Sequence, residues 1–195
     1  MKKLFITLTL LLLASSVFAF DVQKNDEYYR NQIGSYRVPY SNLGLMQAVR
    51  EKKTDVVELF MEAGFDPNYE FMGIPMSMYA LYKKDTDTFD VLLKHGANSE
   101  ATAPACGVST KPQNLLSFAI KRKSSNAVKS LIDSKVDVNK SFNGKTPLNY
   151  AIQTKQTKIV ELLLNAGAKP DDKTWKLVDK SKDEYLKDLF AGIER

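Results

Sequence analysis

The sequence predicts an all-α solenoid of four repeats, closed by a degenerate C-terminal capping repeat. Four alanines anchor a shared pattern at spacings of 32, 39 and 32 residues: Ala48, Ala80, Ala119 and Ala151. Pairs that are apolar except for Thr88 follow each alanine after eight and nine residues and again after twelve and thirteen, which places them on one helical face. Sixteen residues after three of these alanines comes a glycine, which can end a helix in the left-handed conformation without strain.

Residues 1–19 predict a signal peptide. Lys2 and Lys3 precede an apolar run from Leu4 to Leu13, and small residues lead up to Ala19, after which we expect cleavage. A run of ten residues is too short for a membrane anchor, because crossing the hydrocarbon core needs roughly 20. The short, lysine-led form is typical of bacteria. We therefore expect a periplasmic or secreted protein without stable membrane insertion.

Residues 20–41 form an extension ahead of the repeats, which we assign to residues 42–171. Pro39 separates this extension from the first repeat helix. It shows no convincing repeat match, yet it contains several apolar and aromatic residues, namely Tyr28, Tyr29, Ile33, Tyr36 and Tyr40. Two alternatives stay open: the extension caps the N-terminal end of the array, or it is partly disordered.

Each repeat reads as a short helix, a second amphipathic helix, a glycine stop and a polar loop. Residues 144–151 (GKTPLNYA) and 159–168 (IVELLLNAGA) closely resemble the ankyrin repeat, and residues 91–98 (VLLKHGAN) are similarly typical. The resemblance covers residues 42–171. It implies stacked helix pairs whose inner helices and loop tips form a concave protein-binding surface.

Three departures from the pattern have local consequences. Ser77 stands where the other repeats carry leucine, so we expect Met76 or Met78 to fill that core position. Lys135 replaces the glycine stop and should weaken the third repeat by roughly 1 kcal/mol if it is left-handed. The spacing of 39 indicates about seven extra residues within 101–113, which we interpret as an enlarged loop.

Residues 172–195 predict the C-terminal helical cap. Apolar residues recur there at roughly helical spacing, including Trp175, Val178, Leu186 and Phe190. A repeat array needs such a terminal unit, because its last core face would otherwise meet solvent.

The sequence gives no constellation for catalysis or metal binding, so we expect no enzyme activity, no cofactor and no metal site. His95 is the single histidine and Cys106 the single cysteine, whereas a nucleophile with its base, or a zinc site, needs more. His95 occupies a common ankyrin position near the end of an outer helix. Cys106 lies in the enlarged loop, where a spare thiol is favoured over pairing with another chain.

Two weaker patterns also favour structural interpretations. Met72, Met76 and Met78 could attract Cu(I), but methionines at helical spacing more often fill a core. Residues 144–147 (GKTP) resemble the end of a phosphate-binding loop, yet the upstream glycine and the preceding strand are missing.

Charge is unevenly distributed along the chain. Residues 20–110 carry 9 basic and 13 acidic residues, whereas residues 111–195 carry 17 and 10. The basic run 121–123 raises the possibility of nucleic-acid binding, but interleaved acidic residues and export argue against it. We expect instead a protein partner with an acidic patch, bound by a chain that is monomeric when free.

The candidate partner-binding residues occupy aligned repeat positions at the loop tips and on the inner helices. They are Phe71, Met72 and Ile74 with Phe142, Asn143 and Lys145 at the tips, and Arg50, Tyr82, Lys83, Lys121, Arg122 and Gln153 on the inner helices. Phe71, Tyr82 and Phe142 are the expected anchors, because aromatic residues are enriched in tight interfaces. Alternatively, Phe71 and Phe142 fold back on neighbouring loops.

These residues predict a protein-binding module. Some small exported bacterial ankyrin proteins are thought to be immunity proteins, so the most concrete expectation is neutralisation of an envelope-targeting toxin. The alternative is a structural or chaperone-like scaffold that supports an envelope or stress-protection enzyme. The sequence does not separate the two.

Overall fold

The computed structural model describes residues 26–104 and 112–195. The predicted signal peptide and Cys106 lie outside the described residues. Helices dominate the described part, with short strands in the loops. The elements are α1 (residues 26–35), α2 (Asn42–Glu51), α3 (Thr54–Glu62), β1 (Glu70–Phe71), β2 (Ile74–Pro75), α4 (Met76–Tyr82), α5 (Thr86–Lys94), β3 (Thr102–Ala103), β4 (Gln113–Asn114), α6 (Leu115–Lys121), α7 (Ser125–Asp133), α8 (Pro147–Gln153), α9 (Thr157–Asn165), α10 (Asp172–Asp179) and α11 (Glu184–Phe190).

The chain divides into two compact units. The first ends at Asp66 and contains α1 to α3, and the second spans Pro67–Arg195 and contains α4 to α11. Consecutive helices contact each other as pairs. We number them from pair 1 (α2 and α3) in the first unit to pair 5 (α10 and α11) in the second.

In the first unit, the residues before α2 pack against pair 1. Ile33 and Val38 are buried, and the ring of Tyr40 stacks on Phe60 with centroids 6.3 Å apart. Burial and a 2.7 Å hydrogen bond from the Tyr40 hydroxyl to Asp26 raise the pKa of Tyr40 to about 12. The described residues 26–41 therefore pack against pair 1.

The turn into α2 is built around a glycine. The Ser41 side chain accepts a hydrogen bond from the backbone N–H of Gly44 at 3.3 Å and so caps the helix. A Cβ atom on Gly44 would lie 1.8 Å from the carbonyl oxygen of Pro39. Only glycine therefore lets the preceding backbone approach the first turn of α2 this closely.

The second unit is a stack in which helices contact their counterparts in the next pair. The inner helices α4, α6, α8 and α10 contact one another in order, and so do the outer helices α5, α7, α9 and α11. The anchoring alanines of this unit, Ala80, Ala119 and Ala151, are completely buried. Larger side chains at these positions would overfill the core between the helices. The alanine pattern in the sequence thus marks the core.

The sequence departures have the expected structural consequences. Ser77 is buried together with both Met76 and Met78, so the two methionines fill the space around it. Lys135 is left-handed with φ 63°. It therefore takes the conformation that Gly96 and Gly167 take at the corresponding helix ends, with φ 95° and 87°.

Three of the four loops between pairs contain a hairpin, which the all-α prediction did not include. Strand β1 pairs with β2, and β3 pairs with β4, both antiparallel. Phe142 and Lys145 form an equivalent single bridge. The turn residues Met72 and Gly73, like Asn143 and Gly144, all have positive φ, as two-residue type I′ hairpin turns require. The predicted enlarged loop falls between β3 and β4 in the sequence, and most of it lies outside the described residues.

A ladder of side chains connects successive loops. At the position twenty residues after three of the four anchoring alanines, Ala48, Ala80 and Ala119, a side-chain oxygen accepts a hydrogen bond from a backbone N–H of the next loop. The bonds run to Asn68 from Asn98 (2.7 Å), to Glu100 from Asp137 (2.9 Å) and to Asn139 from Lys169 (2.7 Å). One repeat position therefore holds each loop against its neighbour.

Pair 5 joins the stack through a buried polar network. The Asn149 amide donates to both carboxylate oxygens of Asp171 at 3.0 Å, and the Thr174 hydroxyl donates to Asn149 at 2.8 Å. Asp171 also caps α10 by accepting from the Thr174 N–H at 2.7 Å. Burial alone would raise the pKa of Asp171, but these hydrogen bonds outweigh it and lower the pKa. The network thus favours an ionised Asp171.

Candidate functional site

Of the twelve predicted site residues, Arg50 belongs to the first unit and the other eleven to the second. Arg50 lies near the end of α2, is exposed, and forms an ion pair with Glu51 at 3.5 Å. The other eleven lie within one compact unit.

The hairpin tips carry the first group. Phe71 pairs with Ile74, Phe142 pairs with Lys145, and both phenylalanine rings are half-buried. The Asn143 amide donates to the carbonyl of Pro112 at 2.9 Å. Met72 differs from the others, because it is 82% exposed although it is apolar and left-handed, with φ 53°.

The structure brings Tyr82 and Arg122 together on the inner helices. The Arg122 guanidinium donates to the carbonyl oxygen of Tyr82 at 3.2 Å. Its Cζ atom lies 5.9 Å from the ring centroid of Tyr82 and 6.0 Å from that of Phe118, within cation–π range. Tyr82 is 45% exposed and stacks on Tyr79 with centroids 6.2 Å apart. These contacts fix the orientation of Arg122 beside an exposed ring.

A second contact on the inner helices joins Lys145 and Gln153. The Lys145 ammonium donates to the Gln153 side chain at 2.7 Å and lies 5.7 Å from the ring centroid of Tyr150. Burial raises the pKa of Tyr150, so its phenol is neutral at physiological pH. Lys83 and Lys121, both half-buried, lie at the ends of α4 and α6.

Three aromatic residues in or directly beneath this surface were not predicted from sequence: the half-buried Tyr79 and Tyr150, and the buried Phe118. Each stands one residue before an anchoring alanine, whereas the predicted positions were two and three residues after it. Aromatic residues that recur at one repeat position are the signal that could have identified them. We use the name inner-helix surface for Tyr79, Tyr82, Lys83, Lys121, Arg122, Lys145, Tyr150 and Gln153.

Comparison with known families agrees with this architecture. A family model described as Ankyrin repeats (3 copies) matches residues 77–174, which is half of the chain. The chain belongs to the ankyrin-repeat family. The match runs from α4 into α10, so it includes the three inner helices that carry the inner-helix surface. No curated protein matches the chain.

Ankyrin repeats generally mediate protein–protein interactions and are typically binding modules rather than enzymes. In this ankyrin protein, the inner helices α4, α6 and α8, each with the two residues that follow it, contain no acidic residue. They carry six cations: Lys83, Lys84, Lys121, Arg122, Lys123 and Lys155. A cationic surface with aromatic rings is complementary to an acidic protein.

Other candidate chemistry is not assembled by the described residues. Within residues 26–104 and 112–195, no cluster of three or more His, Cys, Asp and Glu side chains could hold a metal ion. Met76 and Met78 are core residues, as the structural interpretation expected, but the exposed Met72 is not. His95 caps the C-terminal end of α5, which is its expected place. In the same ranges, no helix is long and apolar enough to cross a membrane.

Proposed function

We propose that this ankyrin-repeat protein binds an acidic protein partner through the inner-helix surface of its second unit. The observation that supports this most directly is Arg122, held by the Tyr82 carbonyl and two aromatic rings among helices without acidic residues. An arginine that is already oriented loses little conformational freedom when it meets a carboxylate. Such a residue is suited to anchor an interface.

The hairpin tips extend the proposed interface. Met72 presents an apolar side chain that the described residues leave 82% exposed, and Phe142 is half-buried at the equivalent tip. Exposed aromatic, methionine and arginine side chains are the residue types over-represented at interface cores. We therefore propose Tyr82 and Arg122 as the centre of the contact, with the tips at its rim.

The finer proposals rest on the sequence and on the family. We propose four ankyrin repeats, with pair 1 as the first and pair 5 as a C-terminal cap, in a monomeric chain without enzyme activity. Cleavage after Ala19 would place the mature protein in a bacterial periplasm or outside the cell. There it would act as an immunity-type protein that neutralises an envelope-targeting toxin.

The test begins with capture of periplasmic proteins on the mature chain, followed by affinity measurements with the purified partner. Tyr82→Ala, or Phe142→Ala, should weaken binding by roughly 1 to 3 kcal/mol while leaving thermal unfolding nearly unchanged. Tyr185→Ala is the matched control, because Tyr185 is a 53% exposed tyrosine on α11, away from the inner-helix surface. Inhibition of the partner's activity would favour immunity, whereas support of that activity would favour a scaffold.

Charge reversal tests the acidic character of the partner. Lys121→Glu combined with Arg122→Glu should slow association and reduce its salt dependence, because these charges would steer an acidic partner. It should also speed dissociation, because Arg122 lies at the proposed centre of the contact. The surface assignment would be wrong if this variant bound normally while changes at Lys129 or Lys158, on the outer helices α7 and α9, abolished binding.

A further inference from the structure

Each inner helix of pairs 1 to 4 is followed by a lysine in the left-handed conformation. Lys52, Lys84, Lys123 and Lys155 all stand four residues after an anchoring alanine and have φ between 55° and 57°. All four are exposed. The left-handed region is unfavourable for any residue with a Cβ, and glycine or asparagine would tolerate it better. The fold therefore requires the conformation but not the lysine.

The three lysines of the second unit are available for an external partner. Among the described residues, Lys84, Lys123 and Lys155 make no ion pair. The acidic residue next to Lys84, Asp85, makes no ion pair with it, because the Asp85 carboxylate is buried and caps α5 by accepting from the Thr88 N–H at 3.2 Å. The result is a row of positive charges, one per helix pair.

Three side-chain atoms beneath the same turns have no hydrogen-bond partner among the described residues: Asp85 Oδ2, Arg122 Nε and Gln156 Oε1. They lie where an inner helix turns into its outer helix, in pairs 2, 3 and 4 respectively. Because these atoms are buried, a partner at this surface meets the exposed lysines and not these atoms.

The charge of the exposed lysines selects an anionic partner. The protein-binding role of ankyrin repeats favours a protein segment over a phosphate-rich polymer or a lipid surface. An extended peptide can carry carboxylates for the lysines at a regular spacing. A cleft of about 310 Å³ lined by Lys155, Gln156 and Lys182 lies at one end of the row.

We propose that an acidic, extended protein segment docks along these turns, with carboxylates facing Lys84, Lys123 and Lys155. We call this row of three lysines the turn edge. Packed helices lie roughly 8–10 Å apart, and an extended chain rises about 3.3 Å per residue. The segment should therefore carry an acidic residue at about every third position. This inference rests on the proposed function, because it specifies the partner of the adjoining inner-helix surface.

The test uses the mature full chain and a labelled peptide of repeated Glu-Ser-Ser units. The matched peptides are its Gln-Ser-Ser counterpart and an isomer with all glutamates clustered at one end. Tight binding should require the regularly spaced glutamates, and the triple variant Lys84→Asn, Lys123→Asn, Lys155→Asn should weaken it at least about tenfold at low salt. Asparagine accepts the left-handed conformation, so this variant should unfold no earlier than the parent chain.

The control variant removes three charges elsewhere: Lys129→Gln, Lys135→Asn and Lys158→Gln. It should bind the peptide within about twofold of the parent chain, because these lysines lie on or after the outer helices. Unchanged affinity in the turn-edge variant, or an equal loss in the control variant, would overturn the proposal. So would equal binding of the clustered peptide, or binding to phosphatidylglycerol vesicles without binding to the peptide.

Comparing Tyr82→Ala with the turn-edge variant separates this inference from the proposed function. With the captured partner, the inference fails alone if Tyr82→Ala weakens binding while the turn-edge variant binds normally. Both fail if neither variant changes the affinity. Loss of binding in both variants supports a contact that extends from the inner-helix surface over the turn edge.

Discussion

The ends of the outer helices and the ends of the inner helices reach the same backbone conformation with different residues. After the outer helix α5, Gly96 is left-handed and Ala97 N–H donates to the Leu92 carbonyl at 2.9 Å. After the inner helix α4, Lys84 is left-handed and Asp85 N–H donates to the Ala80 carbonyl at 3.0 Å. The hydrogen-bond pattern is identical, so the fold does not explain the choice of lysine.

The free-energy cost of a left-handed lysine can be compared with the stabilisation that its charge provides. A left-handed residue with a Cβ costs roughly 1–2 kcal/mol. A cation at an exposed helix C-terminus returns only about 0.3–1 kcal/mol. At the inner ends, the charge of lysine therefore offsets only part of its backbone strain. At the outer ends, glycine avoids most of that strain. The comparison indicates that the outer ends serve the fold and that the inner ends serve the surface.

The largest expected effect is at Gly44, where the backbone before α2 leaves no space for a side chain. Gly44→Ala should destabilise the chain by about 3 kcal/mol, because the new Cβ would overlap the Pro39 carbonyl at 1.8 Å. Urea unfolding measures the change. The control is Gly34→Ala, which lies in a helix with nothing within 4 Å of the new atom and should stabilise by up to about 1 kcal/mol. An unchanged midpoint for Gly44→Ala would mean that the turn before α2 adjusts.

The start of α10, by contrast, is capped by a side chain, that of Asp171. Asp171→Ala should cost about 2 kcal/mol, because the cap is lost and the buried Asn149 amide loses its acceptor. The folded pKa of Asp171 lies below its ordinary value. Its ionisation therefore contributes stability above the unfolded pKa of about 3.9, and this contribution is lost as pH falls through the folded pKa.

Thermal unfolding between pH 3 and pH 7 tests this dependence. The difference in melting temperature between the parent chain and Asp171→Asn should be largest at pH 7 and shrink below about pH 4. Asp172→Asn is the control, because Asp172 is exposed and lies outside the network of Asn149 and Thr174. A pH-independent difference would contradict the role assigned to the Asp171 carboxylate.

Substitution by alanine at one outer and one inner helix end tests the comparison of helix ends directly. Gly96→Ala should cost roughly 1–2 kcal/mol, because it introduces a Cβ at φ 95° where no neighbouring atom lies within 4 Å. Lys84→Ala exchanges one left-handed residue with a Cβ for another and should change the unfolding free energy by less than about 1 kcal/mol. Urea midpoints report both values. Equal losses would remove the distinction.

Much of the fold could be predicted from the sequence, because the alanines and apolar pairs recur at a period that only stacked helices satisfy. The left-handed Lys135 was predictable since it occupies an aligned glycine position. The hairpins were not, because two-residue strands are too short to show an alternating pattern. The lysines after the inner helices were missed for another reason: no residue of this type signals a left-handed turn.

The candidate surface was predictable only in part. Tyr82 and Arg122 were each identified by repeat position, but their contact depends on how pairs 2 and 3 pack across the enlarged loop. Sequence spacing does not contain that register. The unsatisfied atoms buried beneath the turn edge could not be predicted either, because whether a polar atom finds a partner is a property of the folded chain.

The smallest expected effect compares two lysines of pair 3. Lys135 follows the outer helix α7 with φ 63°, and Lys123 follows the inner helix α6 with φ 57°. Lys135→Gly should stabilise the chain by about 1 kcal/mol, because it relieves the strain of the left-handed residue. Lys123→Gly should give a similar or smaller gain, since a helix-terminal cation is lost. Only Lys123→Gly should weaken binding of the Glu-Ser-Ser peptide.

Urea midpoints and peptide affinities, measured on the same preparations, test this prediction. If both glycine variants stabilised the chain and bound the peptide equally well, lysine at the inner ends would serve neither stability nor peptide binding, and the division between the two kinds of helix end would fail.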